Sequence, residues 1–442
     1  MRKEVIYMFE REKEQLNGLK KEYENIPISL ESIDQTISTG FQKAKTEERK
    51  SRLKKRSAFG FIAAALLLMG LFSSIKNSPA LANYISEIPG MEKIVSMIRD
   101  DKGRMAAVEK KYYQRHGVSD EKDGLKVTID GTIADEMGMV LFYSIESKEK
   151  LKEVMFDDVK IRAKDGTALD EAYNSFGDAH SSDKGETKFS GEIEYFFEVP
   201  IEAKEYIVEL QLKDKEFYIP LTLKEFKKKK EYAVQQTMDL EGQKINIEKV
   251  TIYPLRAVVK LKMNEENEKY ILQFDDLRLV DENNEVWGNI ANGITGSGDK
   301  DTEREVYLQS NYFKEPKELY LVLNSAQAID KENAVIVVDT EKMKILKQPD
   351  GNKLRNLRKE DGQLVFDLHT KKPFRSAIFS TITDAQGKEI EVSSQSMGTE
   401  EEKGTTRLGI ELPSIDRSQN PLTIDLSYYP EWIKGNEKIR IK

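Results

Sequence analysis

Residues 124–147, GLKVTIDGTIADEMGMVLFYSIES, determine the fold class of this chain. In this stretch, apolar and polar side chains alternate on both sides of a short polar connection. Because successive side chains of a β-strand point to opposite faces of its sheet, a period of two predicts strands with one buried face. The apolar positions are Leu125, Val127 and Ile129 before the connection and Met139, Leu141, Tyr143 and Ile145 after it. The stretch therefore predicts a β-hairpin.

The alternation continues beyond the hairpin and completes a first β domain at 124–226. Further strands are predicted at 153–161, 188–199, 205–213 and 216–223. The lysine run at 227–230 then marks a boundary. Because this run lies in a net-acidic region, it is expected to be a solvated hinge and not a nucleic-acid site.

Two more stretches of alternating segments, 232–340 and 341–442, follow the lysine run. They predict a second and a third β domain, although 232–442 could also be a single module of two sheets. At 442 residues the chain is too long for one ordinary core, since domains usually hold roughly 100–200 residues. We therefore predict a mainly β protein of tandem, antiparallel, sandwich-like domains.

Residues 76–123, ahead of the hairpin, predict a helical collar. Ser78 and Pro79 are typical of a helix N-terminus. A second helix is expected around residues 94–98, and residues 104–115 predict a third that ends at His116.

One uncharged, apolar segment, AFGFIAAALLLMGLFSSI at 58–75, predicts a single transmembrane helix. At ~1.5 Å per residue it reaches ~27 Å, which is just enough for a hydrocarbon core of ~30 Å. Positive residues favour the cytoplasmic side. Eight Lys and Arg residues lie in 43–57 and one lies in 76–90. Residues 1–57 are therefore expected in the cytoplasm and the C-terminal bulk outside the cell.

Two other interpretations of this segment stay open. It could be a buried core helix, although apolar residues on all sides and a basic flank argue against that. It could also belong to an export signal, because residues 80–82, ALA, have the small-x-small pattern of a cleavage site. The 57 residues that precede the segment are longer than an ordinary signal would carry.

The expected cytoplasmic arm, 1–57, contains two amphipathic helical patterns. Their apolar stripes are too small to form a core of their own, so they need a partner protein, the inner leaflet of the membrane or each other. A partner protein is the favoured of these. The candidate partner-binding residues are Phe9 and Leu16 in the first pattern and Leu30, Ile33, Ile37 and Phe41 in the second.

The composition gives no support to an enzyme. Cysteine is absent, which excludes disulfides, thiolate zinc sites and cysteine nucleophiles. His116, His180 and His369 are far apart and lack metal-ligand spacing. Nucleotide-binding and nucleophile-elbow motifs are absent as well. The sequence thus predicts no catalytic residue, no cofactor and no metal site.

Four segments carry a resemblance to a known family: IPISLESIDQTISTGFQKAK at 26–45, NSPALANYISEIPGMEKIVSMIRDDKG at 77–103, the IADE pattern at 133–136 and KVTIYPLRAVVKLKMN at 249–264. The first three segments resemble Gram-positive, single-pass membrane proteins described as negative effectors, or anti-sigma factors, of extracytoplasmic-function sigma factors. The last is similar to a second domain, of unknown function, that often follows. The zinc signature of the best-known anti-sigma type is missing.

The resemblance implies a regulatory membrane protein whose cytoplasmic arm holds an extracytoplasmic-function sigma factor. Its extracellular β domains would sense or transmit a signal. Release would follow cleavage by a regulatory protease or a ligand-driven shift. The alternative is a surface-displayed binding or structural module whose arm only sets the membrane topology.

Overall fold

The computed structural model describes residues 90–442, with gaps at 168, 170–171, 178–179, 203, 291–294, 300–301, 372–373, 401–403 and 413–418. The predicted cytoplasmic arm, the apolar segment at 58–75 and the helix predicted after Ser78 lie outside the described residues. Within the described part of the chain, no helix has the length and apolar content that a membrane span requires.

Two short helices begin the described chain, α1 (Met91–Ile98) and α2 (Lys102–Glu109). The helix predicted around residues 94–98 is confirmed as α1. Asp101 starts α2, because its side chain accepts a hydrogen bond from the Arg104 backbone N–H at 2.9 Å. The prediction of a helix over 104–115 is wrong beyond Glu109. Lys111 adopts a positive φ of 57°, which the helix cannot continue through.

A first β unit follows, with β1 (Gln114–Lys122), β2 (Leu125–Asp135), β3 (Gly138–Val154), β4 (Asp158–Ala163), β5 (Ala172–Phe176), β6 (His180–Phe197), β7 (Glu205–Leu212) and β8 (Lys215–Thr222). The predicted hairpin is β2 and β3, and the strands predicted at 205–213 and 216–223 are β7 and β8. The sheet β1-β2-β3-β6-β5 packs on the sheet β4-β7-β8 around one apolar core. His116 lies in β1, so its predicted role at a helix end is wrong.

Both faces of the hairpin are buried, and a β-bulge in β2 determines which face its later residues occupy. The register with β3 shifts between Ile129 and Gly131, and this changes which face each later side chain occupies. Val127 and Ile129 therefore point into the sandwich core, whereas Ile133 belongs to a separate core with the two helices. Through the bulge, β2 contributes large apolar side chains both to the sandwich core and to the core beneath the helices.

The second β unit contains β9 (Lys230–Leu240), β10 (Gln243–Ile252), β11 (Arg256–Met263), β12 (Lys269–Gln273), β13 (Arg278–Asp281), β14 (Val286–Trp287), β15 (Gly296–Gly298), β16 (Glu303–Gln309) and β17 (Leu319–Asp330). Its two sheets are β15-β16-β11-β10-β9 and β12-β17-β13-β14. A short 3-10 helix, Lys331–Asn333, leads out of it.

The third β unit contains β18 (Val335–Asp339), β19 (Lys344–Lys347), β20 (Leu354–Glu360), β21 (Gln363–His369), β22 (Phe379–Thr383), β23 (Ser394–Glu400), β24 (Thr405–Glu411) and β25 (Leu422–Leu426). Its sheets, β19-β18-β25-β22 and β20-β21-β24-β23, enclose a core that also includes Leu272 of β12 and Ile329 of β17. The last strand, β26 (Trp432–Arg440), leaves this unit and pairs with β17. Ile433 and Ile439 thereby join the core of the second unit.

The mainly β fold class is confirmed, because antiparallel sheets account for most of the described residues. The sandwich cores follow the alternation in the sequence. In each sheet pair the inward apolar side chains of both layers interlock in one core.

Candidate functional site: the junction of the helices and two β units

The helices α1 and α2 pack on the outer face of the β2–β3 hairpin. Their shared core contains side chains from the helices, from the first β unit and from the second. The second unit contributes Leu255, from the turn between β10 and β11. The members are Met91, Ile94, Ile98, Met105, Ala107 and Val108 from the helices, Ile133, Val140 and Phe142 from the hairpin, Tyr113 and Leu255. Three parts of the chain therefore meet in this core.

Helix α2 is enclosed on all sides. Its residues from Gly103 to Val108 are all buried. A Cβ atom on Gly103 would lie 2.8 Å from the backbone N and O atoms of Ser310, so only glycine lets the helix approach the loop after β16 this closely. Asp100 adds a contact with the same strand end, because its carbonyl accepts a hydrogen bond from Gln309 Nε2 at 3.2 Å.

Arg104 connects α2 to the first β unit through buried ion pairs. Its guanidinium lies 2.6 Å from Glu194 Oε1 and 3.0 Å from Glu192 Oε1, both on β6. Asp101 Oδ2 is 3.3 Å from its Nε atom. The Arg104 side chain is only 6% exposed, so these charges interact with little screening by water.

Three carboxylates around one guanidinium shift the pKa values in the cluster. Burial alone would lower the pKa of Arg104, but Glu194, Glu192 and Asp101 together raise it. The pKa of Glu192 is also raised, because burial and the neighbouring Glu194 oppose its charged form more strongly than Arg104 supports it. The cluster therefore holds excess negative charge when all its carboxyls are ionised.

Asp135, the acidic residue at the end of β2, connects the first unit to the second. It is completely buried. Its Oδ1 atom accepts a hydrogen bond from the Met137 backbone N–H at 2.9 Å, and its Oδ2 atom accepts one from the Leu255 backbone N–H at 2.8 Å. Burial raises the pKa of Asp135, although Arg256 and these two hydrogen bonds oppose the shift.

Arg256 makes the reciprocal contact from the second unit. Its guanidinium carbon lies 4.0 Å from the Phe196 ring centroid and 4.8 Å from that of Tyr307. These rings belong to different units and are stacked at 5.9 Å. Its Nη2 atom donates to the Met137 carbonyl. None of the described Asp or Glu side chains lies within ion-pair distance of Arg256, and burial lowers its pKa.

The linker between the two β units is also attached here. The Tyr112 hydroxyl, just after α2, donates to the Ala134 carbonyl at 2.8 Å and accepts from the Lys227 backbone N–H at 3.4 Å. Its ring lies 5.2 Å from that of Phe313. Lys229 forms an ion pair of 3.5 Å with Glu136. Lys230 also donates to the Tyr312 carbonyl of the second unit. Lys227 and Lys228 are exposed, as expected for a solvated hinge, whereas Lys229 and Lys230 are partly buried and bound to the two units.

We define the junction as Arg104, Tyr112, Asp135, Leu255 and Arg256. Arg104 is bound by carboxylates, and the other groups are bound by one another, by aromatic rings or by the backbone, which suits all five to hold elements in a fixed arrangement. Among the residues described, no three Asp, Glu or His side chains are placed to hold a metal ion.

Sequence reasoning singled out only part of this site. The IADE pattern contains Asp135, and the segment 249–264 contains Leu255 and Arg256, but the contact between them was not foreseen. Arg104 was missed, although it precedes a short apolar run, MAAV at 105–108, that is typical of a helix buried on several sides. The predicted partner-binding residues lie outside the described residues: Phe9, Leu16, Leu30, Ile33, Ile37 and Phe41.

Comparisons with known proteins find similarity in two stretches. Residues 52–147 match the model of a domain of unknown function, DUF4179. Residues 229–348 match that of a family of unknown function, DUF5643. No curated protein matches the chain.

A solved structure, the crystal structure of the conserved domain protein from Bacillus anthracis, is similar over 53% of this chain and 85% of its own, with 19% identity and a TM-score of 0.38. A similarity this low carries no argument about fold or function. Asp135 lies in the first matched stretch and Leu255 and Arg256 lie in the second, so the junction is where this chain's DUF4179-like and DUF5643-like segments meet.

Proposed function

We propose that this protein is a membrane-anchored regulator, an anti-sigma factor that holds an extracytoplasmic-function sigma factor through residues 1–57. Its β units would lie outside the cell and transmit an envelope signal to that arm. The protein would act by binding and release and would need no catalytic group.

The junction is the observation that carries the transmission step. Helix α2 is bound to the first β unit through the ion pairs of Arg104 and packs against the second unit at Ser310. Asp135 and Arg256 join those two units. Because these contacts are buried and closely packed, a shift between the two units would be passed on to α2.

The sequence supports the placement of this device next to a membrane. The apolar segment ends at Ile75 and α1 begins at Met91, so the helices at the junction follow the expected span after a short connection. The basic flank at 43–57 supports a cytoplasmic arm. The similarity to DUF4179 covers the basic flank from residue 52, the apolar segment, both helices and the hairpin.

A sigma-dependent reporter in cells that carry the full-length chain tests the proposal. The triple variant Ile33→Ser, Ile37→Ser and Phe41→Ser removes the apolar stripe of the second amphipathic pattern in the arm. Loss of these anchors is expected to release the sigma factor and raise transcription from its promoter. Cross-linking in membranes should show the sigma factor bound to the wild-type chain and absent from the variant.

The matched control changes the opposite side of the same helical pattern, with Gln35→Ser, Thr39→Ser and Gln42→Ser. This variant should repress as the wild type does. Unchanged transcription in the apolar triple variant, at equal protein levels, would reject the anti-sigma role. It would favour a surface-displayed binding module with a topogenic arm.

A further inference from the structure

A small pocket lies in the second β unit beside the linker. Its volume is about 240 Å³. The start of β9, the end of β10, the loop between β16 and β17, the first residue of β17 and Lys442, two residues beyond β26, form its walls. Apolar side chains line one part of it, namely Tyr232, Ile252, Pro316 and Leu319.

Positive charge lines the other part of the pocket. Lys230, Lys314 and Lys442 line it, and none of the described Asp or Glu side chains lies within ion-pair distance of their ammonium groups. Lys230 is held in place, because its ammonium donates to the Tyr312 carbonyl at 2.8 Å and lies 4.5 Å from the Tyr312 ring centroid. Lys442 donates to the Pro316 carbonyl at 2.7 Å. Burial lowers the pKa of Lys230, the charge of Glu315 opposes this shift, and the charges of Lys442 and Lys227 add to it.

Asn311 also lines the pocket, and its side chain lacks partners. It is only 2% exposed. Both its amide nitrogen and its amide oxygen are buried without a hydrogen bond among the described residues. Buried polar groups are nearly always hydrogen-bonded, so this amide provides a donor and an acceptor for a polar group beside the basic pocket.

We propose that this pocket binds a small organic anion that carries one carboxylate and an apolar body. The carboxylate would accept hydrogen bonds from Lys230, Lys314 and the Asn311 amide, and the apolar body would contact Tyr232 and Pro316, which are the partly exposed apolar residues of the lining. Glu315, which also lines the pocket, disfavours anions with two or more charges. Since a water molecule occupies ~30 Å³ in the liquid, the volume fits a ligand of roughly amino-acid size.

The site goes beyond the proposed function and does not require it. It nevertheless adjoins the junction, because Asn311 follows Ser310, which packs against Gly103 of α2. Phe313, in the same loop, contacts Tyr112. A bound anion would therefore fix the loop that supports the helices.

Isothermal titration calorimetry on the full-length protein in detergent tests the proposal. The probes are N-acetylalanine, its uncharged amide and inorganic phosphate. We expect N-acetylalanine to bind and the other two not to bind. Lys230→Gln and Asn311→Asp should each weaken binding by about tenfold or more, because each removes a charge-assisted or buried contact to the carboxylate.

Lys388→Gln is the matched control, since Lys388 is an exposed lysine in the third β unit, and it should leave binding unchanged. If Asn311→Asp fails to fold, the exposed Lys314→Gln replaces it and should weaken binding in the same direction. Absence of N-acetylalanine binding up to about 10 mM, equal binding of the amide, tighter binding of phosphate, or full affinity in Lys230→Gln would each overturn the proposal.

Discussion

Two buried arginines hold the junction together, and their surroundings differ. Arg104 is surrounded by the carboxylates of Asp101, Glu192 and Glu194. Arg256 lies against the rings of Phe196 and Tyr307, with a backbone carbonyl as its hydrogen-bond acceptor. The Nε atoms of both arginines are buried and lack a hydrogen bond among the described residues, so the two differ only in what surrounds the guanidinium. One arginine is held by charge and the other by stacking.

This difference indicates which contact depends more strongly on its arginine: the one between α2 and the first β unit, or the one between the two β units. Removal of Arg104 would leave three acidic groups close together, with Glu194 buried and Asp101 and Glu192 largely shielded from water, and an uncompensated charge of this kind is costly. Removal of Arg256 would leave two aromatic rings that still pack on each other at 5.9 Å. The attachment of α2 to the first unit should therefore be more sensitive to loss of its arginine than the attachment of the two β units.

The largest effect is expected for Arg104→Met, which keeps much of the apolar stem and removes the charge. Because breaking a buried ion pair from one side leaves an uncompensated charge, the variant should lose ~3–5 kcal/mol of unfolding free energy. Urea denaturation of the purified protein, followed by circular dichroism, measures this loss.

A rescue separates charge from packing in this experiment. Adding Glu192→Gln and Glu194→Gln to Arg104→Met removes the repulsion and should recover a large part of the lost stability. If the triple variant is as unstable as Arg104→Met alone, the loss arises from packing, and the contrast between the two arginines fails.

A smaller effect is expected for Arg256→Met. The variant loses one hydrogen bond to the Met137 carbonyl and the contacts with two rings, which together contribute ~1–3 kcal/mol. The same urea series measures it. A loss of stability equal to that of Arg104→Met would contradict this order. It would show that the charge of buried Asp135 needs Arg256, although the two are outside ion-pair distance, as much as Glu192 and Glu194 need Arg104.

The alternation of apolar and polar residues was sufficient to predict the sheets but not their pairing. It located β2, β3, β7 and β8 because burial of one face fixes a period of two in the sequence. It did not indicate that β26 crosses back to β17, since a strand's apolar face does not specify which sheet it joins. The bulge in β2 was also invisible, because Asp130 and Gly131 look like ordinary polar and turn residues.

The site was harder to predict than the fold. Asp135 lies in a noted pattern, yet its partner Leu255 is 120 positions away in the sequence and is bound through its backbone N–H, which every non-proline residue has. Arg104 would ordinarily be assigned to a solvated helix face. Its burial depends on Glu192 and Glu194, which are charged residues in a strand and look exposed in the sequence.

The next effect concerns pH and the excess negative charge around Arg104. The pKa of Glu192 is raised in the folded protein, so this residue contributes stability below its ordinary value near 4.5 and loses that contribution as pH rises through the raised pKa. Glu192→Gln does not titrate. The unfolding free energy of the variant should therefore rise relative to that of the wild type between pH 4 and pH 7, by about 1 kcal/mol or less. Urea denaturation at each pH measures this difference.

The smallest effect, opposite in sign, is expected at an exposed pair. Glu146 accepts a hydrogen bond from Lys188 at 2.7 Å, and this contact lowers the pKa of Glu146. This contribution to stability is present above the ordinary pKa of 4.5 and is lost as pH falls through the lowered pKa. Glu146→Gln should therefore lose stability relative to the wild type as pH rises from about 3 to about 5, and the difference should then stay constant up to pH 7. Because both side chains are at least half exposed, solvent screening keeps the change small. If both glutamine variants shifted with pH in the same direction, the acidic cluster would behave as an ordinary surface pair and the excess charge assigned to it would be wrong.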